Sequence, residues 1–248
     1  MVKKVVIAAA GRGTRMLHLT DNKPKHLLEI SGKPFLSYVL DNLLLAGYKE
    51  IVLVAGYKEE LVRDFLKTYK SPNGSDFKID FVNQYEKVDP DQRYGTAIAL
   101  ECAKDYVGQE QFLFVCGDNL YAVEDLRAMN IDDNYSYIAG LIHETPEKYG
   151  VLINGGEFLK GIIEKPKEYV GNLINAGMYK FTPEVFEKLP LIEKSARGEY
   201  EITDVITLLA KEQKVKTIKI KEYWKDLGNP DDIGKLNKFI ENEKVASK

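Results

Sequence analysis

The first half of the chain alternates short apolar runs with amphipathic segments. The apolar runs, which are typical of strands, occupy residues 5–10, 51–54, 79–82 and 112–115. Three of these runs are nearly continuous, as is typical of parallel strands that are covered on both faces. Between the runs, apolar residues recur at helical spacing at residues 34–47, 61–69 and 96–106. This alternation predicts a doubly wound, Rossmann-like and mostly parallel sheet with right-handed crossovers.

The second half of the chain is richer in strand patterns, which predict a mixed β extension of that sheet. Strand patterns lie at residues 136–143, 151–153, 158–164, 173–181 and 215–220, and helical patterns at residues 183–188, 201–211 and from Pro230 onward. No linker-like composition and no repeat separates the halves, so we expect one continuous domain over residues 1–248. The polar end of the chain, residues 241–248, is expected to fray.

Composition narrows the class of protein. The chain is 44% hydrophobic and 29% charged, and its formal net charge of −3 argues against a nucleic-acid binder, which normally has a basic surplus. No apolar run approaches the ~18 residues of a membrane span, and the N-terminal residues do not match a signal peptide. Cys102 and Cys116 fit buried, reduced thiols of a cytoplasmic protein. The histidines have no metal-ligand spacing, which argues against zinc.

An anion-binding loop follows the first predicted strand. Gly11 and Gly13 lack a Cβ, so the backbone there can curl and bring its N–H groups close to an anion. Arg15 and Lys25 add full positive charges nearby. One residue separates the glycines, which excludes a Walker motif, and Met16 stands where a dinucleotide-binding fingerprint needs glycine or alanine. The loop therefore predicts a polyphosphate ligand at the end of the first strand.

This loop resembles the signature of the sugar-1-phosphate nucleotidylyltransferases. Residues 9–16 read AAGRGTRM and residues 24–30 read PKHLLEI, against the family patterns (L)AAGxGTRL and PKxLLxI. Later segments that match in the family's order are YGTA at 94–97, GDN at 117–119, YG at 149–150, EKP at 164–166, NAGMY at 175–179 and WKDLGNP at 224–230. Asn229 replaces the usual threonine, and His18 and His26 stand where prolines are common.

The resemblance implies a GT-A-like nucleotidyltransferase fold and a role for each matching residue. Residues 1–130 would be the nucleotide-binding half, and residues 131–235 the sugar-binding half. Nucleotide binding is assigned to Ala10, Gly11, Gly13, Thr14, Gln84, Gly95 and Thr96, and sugar binding to Tyr149, Gly150, Glu164, Asn175 and Gly177. Arg15, Lys25 and Lys165 are the implied catalytic cations, and Asp118 and Asp226 the implied ligands of a Mg²⁺ cofactor. Mg²⁺ commonly takes one or two carboxylates together with phosphates, which suits this set.

The implied reaction joins a nucleoside triphosphate and a sugar 1-phosphate into a nucleotide sugar and pyrophosphate. UTP or dTTP is favoured because a glutamine amide can both donate to and accept from a uracil or thymine edge, and glucose 1-phosphate is the favoured sugar. One alternative is a cytidylyl- or guanylyltransferase acting on another sugar or alditol phosphate. Others are a glycosyltransferase that uses a nucleotide sugar and a non-catalytic regulatory subunit. No nucleic-acid or membrane partner is expected, and the sequence leaves a homo-oligomer open.

Overall fold

A nine-stranded sheet is the element on which the other elements pack. The computed structural model describes residues 2–246. In chain order, the strands are β1 (Lys4–Ala9), β2 (Glu29–Ile30), β3 (Lys33–Pro34), β4 (Glu50–Ala55), β5 (Lys78–Asn83), β6 (Phe112–Cys116), β7 (Asn119–Tyr121), β8 (Ser136–Ile142), β9 (Gly150–Gly155), β10 (Phe158–Glu164), β11 (Leu173–Phe181), β12 (Val215–Lys219) and β13 (Trp224–Asp226). The helices are α1 (Phe35–Ala46), α2 (Glu59–Thr68), α3 (Gln84–Lys87), α4 (Thr96–Val107), α5 (Val123–Ala128), α6 (Val185–Lys188), α7 (Ile202–Lys211) and α8 (Pro230–Ala246).

The first half of the chain forms the parallel part of the sheet, in the order β5-β4-β1-β6. Successive residues of β1 face two different apolar cores. Val5 and Ile7 pack into the core that contains α1, whereas Val6 packs into the core that contains α4. Both faces of the strand are therefore covered, which is why its sequence is continuously apolar rather than alternating. The predicted doubly wound architecture is confirmed.

The second half continues the same sheet with mixed strand directions. β11 lies antiparallel to β6, and the order then runs through β8, β12, β10 and β9. β9 also pairs with β11 through Ile174 and Val151, so β11, β8, β12, β10 and β9 close into a ring of five strands. The two halves are joined by the four residue pairs of the β6–β11 ladder, from Met178–Val115 to Phe181–Phe112.

The segment between β1 and α1, which we predicted as a loop, contains local secondary structure. It contains two 3₁₀ turns, Thr14–Thr20 and Lys25–Leu27, followed by the hairpin of β2 and β3. Local hydrogen bonds stabilise the second turn. The Lys25 carbonyl accepts from the Leu28 N–H at 3.0 Å, and the Pro24 carbonyl accepts from the Leu27 N–H at 2.9 Å. Such short-range bonds leave no periodic apolar signal in the sequence.

Residues 241–246, within the stretch that we expected to fray, continue α8, which ends at Ala246. Leu236 and Ile240 are buried and hold the helix against the core that contains α1. Most of the polar residues that follow have good helix propensity. Residues 247 and 248 lie outside the described part of the chain. Across residues 2–246, none of the helices combines the length and the apolar character that a membrane crossing requires.

Candidate active site

A cleft of about 780 Å³ lies at the ends of β1, β5 and β6. In an open parallel sheet, the loops that follow the carboxyl ends of the strands converge at one edge and form the ligand site. The residues singled out in the sequence that line this cleft are Ala10, Gly11, Gly13, Thr14, Arg15, Lys25, Gln84, Gly95, Thr96, Asp118 and Lys165. The structure therefore brings three features into a single cavity. They are the loop around Gly11 and Gly13, which we call the phosphate loop, the Gln84 side chain and the Asp118 carboxylate.

Gly13 sets the path of the phosphate loop. Its φ of 68° is left-handed, a region that favours glycine. Its carbonyl accepts from the Met16 N–H at 2.8 Å and from the Thr20 hydroxyl at 3.2 Å, so the chain turns back on itself. A Cβ on Gly13 would lie 3.4 Å from the Cβ of Lys25. The absence of a side chain at this position therefore lets Lys25 pack directly against the loop.

Lys25 and Asp118 form a buried ion pair in the cleft. The Lys25 ammonium donates to Asp118 Oδ2, and the two side chains are 11% and 19% exposed. Burial by itself would lower the pKa of Lys25, but the Asp118 carboxylate raises it above its ordinary value. Burial would likewise raise the pKa of Asp118, and the Lys25 ammonium holds it below its ordinary value. Both groups are therefore charged at neutral pH.

Asp226 reaches Asp118 through a short sheet that the sequence pattern did not predict. β7 and β13 pair antiparallel with Asn119 opposite Asp226, and the Leu227 N–H donates to the Asp118 carbonyl at 2.8 Å. A Cβ on Gly228 would lie 2.7 Å from Asp226 Oδ2, so a side chain at this position would force the carboxylate to move. Two carboxylates far apart in the sequence are thus neighbours at the edge of the cleft.

The two carboxylates fit a divalent cation. Burial and, less strongly, the neighbouring Asp118 carboxylate raise the pKa of Asp226 to about 7, and the Lys25 ammonium acts against them. A carboxylate pair that is crowded in this way gains from a shared cation. Within residues 2–246 there is no cluster of three or more His, Cys, Asp or Glu side chains that could hold a metal. The pair therefore suits Mg²⁺, which completes its shell with phosphates and water, rather than a metal enclosed by protein ligands.

Gln84 offers an acceptor inside the cleft. It opens α3 directly after β5, and the side chain of Asn83 fixes the turn by accepting from the Tyr85 N–H at 3.0 Å. Gln84 is only 2% exposed, and its Oε1 has no hydrogen-bond partner among the described residues. Buried polar atoms are normally paired. An unpaired oxygen on a cleft-lining residue is therefore available to a donor on a ligand.

Gly95 and Thr96 line the cleft, and they also touch the second half of the chain. Gly95 has a φ of 134°, and a Cβ there would lie 2.2 Å from the Tyr200 carbonyl oxygen. The Thr96 hydroxyl accepts from the Ile202 N–H at 2.9 Å. Any contact of these residues with a nucleotide is thus made beside a fixed contact between α4 and the start of α7.

The residues assigned to the sugar form a second cluster and do not line the cleft. Gly150 faces Glu164 across the β9–β10 ladder, and a Cβ on Gly150 would lie 2.9 Å from Glu164 Oε2. Asn175 Oδ1 accepts from the Gly177 N–H at 2.9 Å, and its Nδ2 donates to the Tyr179 hydroxyl at 2.8 Å. Asn175 therefore uses both ends of its amide within the protein, although the sequence suggested hydrogen bonds to sugar hydroxyls.

Tyr149 connects the sugar cluster to the carboxylates. Its ring packs edge-on against Trp224, with ring centroids 5.7 Å apart, and against His143 at 4.9 Å. Trp224 begins β13, the strand that ends at Asp226. Aromatic contacts thus join the sugar cluster to the strand that carries the second carboxylate. Lys165, which follows Glu164, is the predicted sugar-side residue that reaches the cleft.

Some residues of the site were not predicted from the sequence. Lys194, Arg197 and Glu199 line the cleft from the segment before α7. The one signal that could have found them is a group of charged residues, with Gly198 among them, just before a predicted helix. Asn119, which follows Asp118 but does not line the cleft, has a buried Oδ1 without a partner among the described residues.

The fold and the site together define a class of protein. A parallel sheet with a phosphate loop after β1 and two carboxylates beside it is the architecture of a nucleotidyltransferase-type α/β enzyme. The solved structure of UDP-glucose pyrophosphorylase complexed with UDP-glucose matches this fold with a TM-score of 0.84 at 24% identity, covering 98% of this chain and 100% of that one. The family model described as nucleotidyl transferase matches residues 4–243, and the chain belongs to this family.

Relatives in archaea share the sequence at a moderate level. The Bifunctional protein GlmU of Methanocaldococcus jannaschii is 38% identical over 237 residues, which cover 95% of this chain and 53% of that protein. The UTP–glucose-1-phosphate uridylyltransferase AglF of Haloferax volcanii is 32% identical over 250 residues, which cover 97% of both chains. The chain thus spans about half the length of the first relative and almost all of the second. Enzymes of this family typically depend on Mg²⁺.

Proposed function

We propose that this protein is a sugar-1-phosphate nucleotidylyltransferase that uses UTP or dTTP and glucose 1-phosphate. The observation that carries the proposal is the sharing of one cleft by the phosphate loop, the Lys25–Asp118 pair and Lys165. Cations at several points of one cavity fit a reaction between two phosphorylated substrates. Family membership and the similarity to the uridylyltransferase of Haloferax volcanii support the same reaction.

In the proposed reaction, an oxygen of the sugar 1-phosphate attacks the α-phosphorus of the nucleoside triphosphate. A new P–O bond forms, the bond from the α-phosphorus to the bridging oxygen breaks, and pyrophosphate leaves with the electron pair. The nucleophile is already ionised, so no general base is required. The main obstacle is repulsion between two polyanions, and positioning together with positive charge therefore supplies most of the rate.

We assign the cations of the cleft to the two substrates. Arg15 and the N–H groups of the glycine loop bind the triphosphate, and Lys25 meets the α-phosphate and the charge that develops there. Lys165 and Arg197 bind the sugar phosphate. When bound at the two carboxylates, Mg²⁺ would polarise phosphate oxygens as a Lewis acid.

Gln84 supports the preference for a uracil or thymine base. Its buried, unpaired Oε1 suits the N3–H donor that these two bases share, and cytosine carries an acceptor at the same position. A site that leaves a buried polar atom unpaired with the wrong ligand discriminates strongly against that ligand. Among the alternative reactions, Gln84 therefore predicts the lowest rate for cytidylyl transfer.

A substrate panel tests the proposal. Purified protein with Mg²⁺ is offered each of UTP, dTTP, CTP, GTP and ATP with glucose 1-phosphate, its 2-acetamido analogue or an alditol phosphate, and released pyrophosphate is measured. We expect the highest kcat/KM with UTP or dTTP and glucose 1-phosphate. Release of nucleoside diphosphate from a nucleotide sugar would point to a glycosyltransferase instead. No pyrophosphate with any pair would contradict the proposal.

Arg15→Ala tests the role of the phosphate loop. Loss of a guanidinium from the triphosphate site should lower kcat/KM by about 100-fold or more, because charged contacts contribute most when water is excluded. Lys23→Ala is the matched control, since it removes a positive charge from the same segment at a position that does not line the cleft. Equal turnover of Arg15→Ala and the control would refute the assignment.

A further inference from the structure

Residues 194–201, which we call the arm, form part of the cleft wall. The arm residues that line the cleft are Lys194, Arg197, Gly198, Glu199 and Glu201. Arg197 Nη2 donates to Glu201 Oε1 at 2.7 Å, and the Ser195 hydroxyl donates to the same oxygen at 3.2 Å. The Ser195 N–H donates to the Glu199 carbonyl at 2.8 Å. The arm is therefore a closed turn in which internal bonds hold the Arg197 guanidinium against Glu201.

The arm faces the triphosphate side and the sugar side of the site, because it lines the same cleft as Arg15 and Lys165. Burial raises the pKa of Glu199, Glu201 adds to the rise, and Arg197 and, more weakly, Arg15 of the phosphate loop act against it. Burial would lower the pKa of Arg197, but Glu201 and, more weakly, Glu164 raise it above its ordinary value. The arm thus interacts with the phosphate loop at Glu199 and with the proposed sugar cluster at Arg197.

The end of the arm is fastened to the start of α4. α4 begins at Thr96 and α7 begins at Ile202, and the first N–H groups of a helix have no partner within it. The Thr96 hydroxyl accepts from the Ile202 N–H at 2.9 Å, and the Ala97 N–H donates to the Tyr200 carbonyl at 3.0 Å. Gly95 allows the backbone at the start of α4 to approach the arm this closely, because a Cβ there would lie 2.2 Å from the Tyr200 carbonyl oxygen.

We propose that Thr96 is a positioning residue for the sugar phosphate, although it lies in a segment that resembles a nucleotide-binding motif. Its hydroxyl fixes the Ile202 N–H, and so fixes the arm that presents Arg197 to the cleft. The inference rests on the proposed function, because it needs a sugar phosphate as the anion that Arg197 meets. Loss of the hydroxyl should loosen the end of the arm, which keeps the bond from the Ala97 N–H to the Tyr200 carbonyl, and so weaken sugar-phosphate binding, while the phosphate loop and Gln84 keep their hold on the nucleotide.

Steady-state kinetics on Thr96→Val tests the proposal, with pyrophosphate release measured at varied concentrations of each substrate. We expect the KM for glucose 1-phosphate to rise about tenfold, the effect of one lost hydrogen bond, and the KM for UTP to stay within about twofold. Thr96→Ser keeps the hydroxyl and should restore the wild-type KM. Thr207→Val is the matched control on α7, because the Thr207 hydroxyl donates to the Thr203 carbonyl within that helix, at 2.8 Å.

A second variant removes the same bond from the donor side. Ile202→Pro lacks the N–H, and proline is accepted at the first position of a helix. Glu201, with φ −96° and ψ 135°, already has the conformation that a residue before proline needs. We expect the same selective rise in the KM for glucose 1-phosphate as with Thr96→Val. The variant also keeps the proposal testable if Thr96→Val does not fold.

The outcomes separate the two proposals. A wild-type protein that releases no pyrophosphate refutes the proposed function. An active wild type whose Thr96→Val variant raises only the KM for UTP would make Thr96 a nucleotide contact and overturn the inference. Unchanged KM values in both variants would also overturn it, because the bond between Thr96 and Ile202 would then have no effect on the arm.

Discussion

His26 should make the stability of this protein depend on pH. The residue follows Lys25 in the second 3₁₀ turn, it is 1% exposed, and its Nδ1 has no partner among the described residues. Burial and, less strongly, the Lys25 ammonium lower the pKa of His26 from 6.5 to about 3, and the Asp118 carboxylate acts against them. The folded protein therefore keeps this imidazole neutral at a pH where the unfolded chain protonates it.

The sign and size of the effect follow from these pKa values. The unfolded state binds more protons than the folded state between pH 6.5 and 3, so stability is present above the unfolded pKa and is lost as the pH falls. From pH 7.5 to 4.5, His26 should cost about 2.6 kcal/mol of unfolding free energy. Asp226 works in the opposite direction. Its pKa is raised to about 7 in the folded protein, so the folded state is stabilised when Asp226 is protonated as the pH falls. The two effects partly cancel in the wild type.

A comparison with His26→Gln isolates the contribution of His26. Both proteins are unfolded with urea in a chelating buffer at several pH values, and the fluorescence of the single tryptophan, Trp224, reports the transition. The wild type should lose about 2.6 kcal/mol relative to the variant between pH 7.5 and 4.5, whatever the offset between them at pH 7.5. His18→Gln is the control for loss of an imidazole at an exposed position of the same loop. A difference that stays constant over this range would refute the reasoning.

Three further predictions concern the metal, the base and the core. Asp118→Asn should abolish Mn²⁺ binding, measured by calorimetry with nucleotide present, and lower kcat at least 100-fold; intact metal binding would exclude this carboxylate as a ligand. Gln84→Leu should reduce the preference for UTP over CTP about tenfold in kcat/KM, and an unchanged ratio would show that the base is read elsewhere. The buried Lys180 ammonium donates to the carbonyls of Asp133 and Tyr135, at 2.7 Å each. Lys180→Met should therefore cost about 3 kcal/mol in urea unfolding, and a loss under about 1 kcal/mol would contradict that role.

The sheet and the phosphate loop could be predicted because their signals are local. An apolar run buried on both faces, as in β1, contains its own evidence, and Gly13 is required by the backbone turn that it makes. The position of Lys25 also follows from short-range geometry, since it packs against that loop. These features depend on residues close together in the chain, which is the information that a single sequence carries.

The pairing of β7 with β13 could not be predicted in the same way. Each strand has three residues, too few for a period-two pattern, and the partners are far apart in the sequence. The resemblance to a family named Asp118 and Asp226, but only the ladder explains why they meet. The arm was missed for a related reason, since its role depends on the Thr96–Ile202 contact between two helix starts. The use of both ends of the Asn175 amide within the protein is likewise visible only in three dimensions.

β11 pairs with strands of both halves of the chain, which limits how the two halves can move. This strand pairs with β6 of the first half of the chain and also closes the five-stranded ring through β8 and β9. A hinge between the halves would have to break the β6–β11 ladder, so the enzyme cannot open and close like two hinged lobes. If the nucleotide binds at β1 and the sugar at β9, as we propose, the spacing between them is therefore set by the folded sheet. Adaptation to a sugar of another size would have to come from the loops that border the cleft.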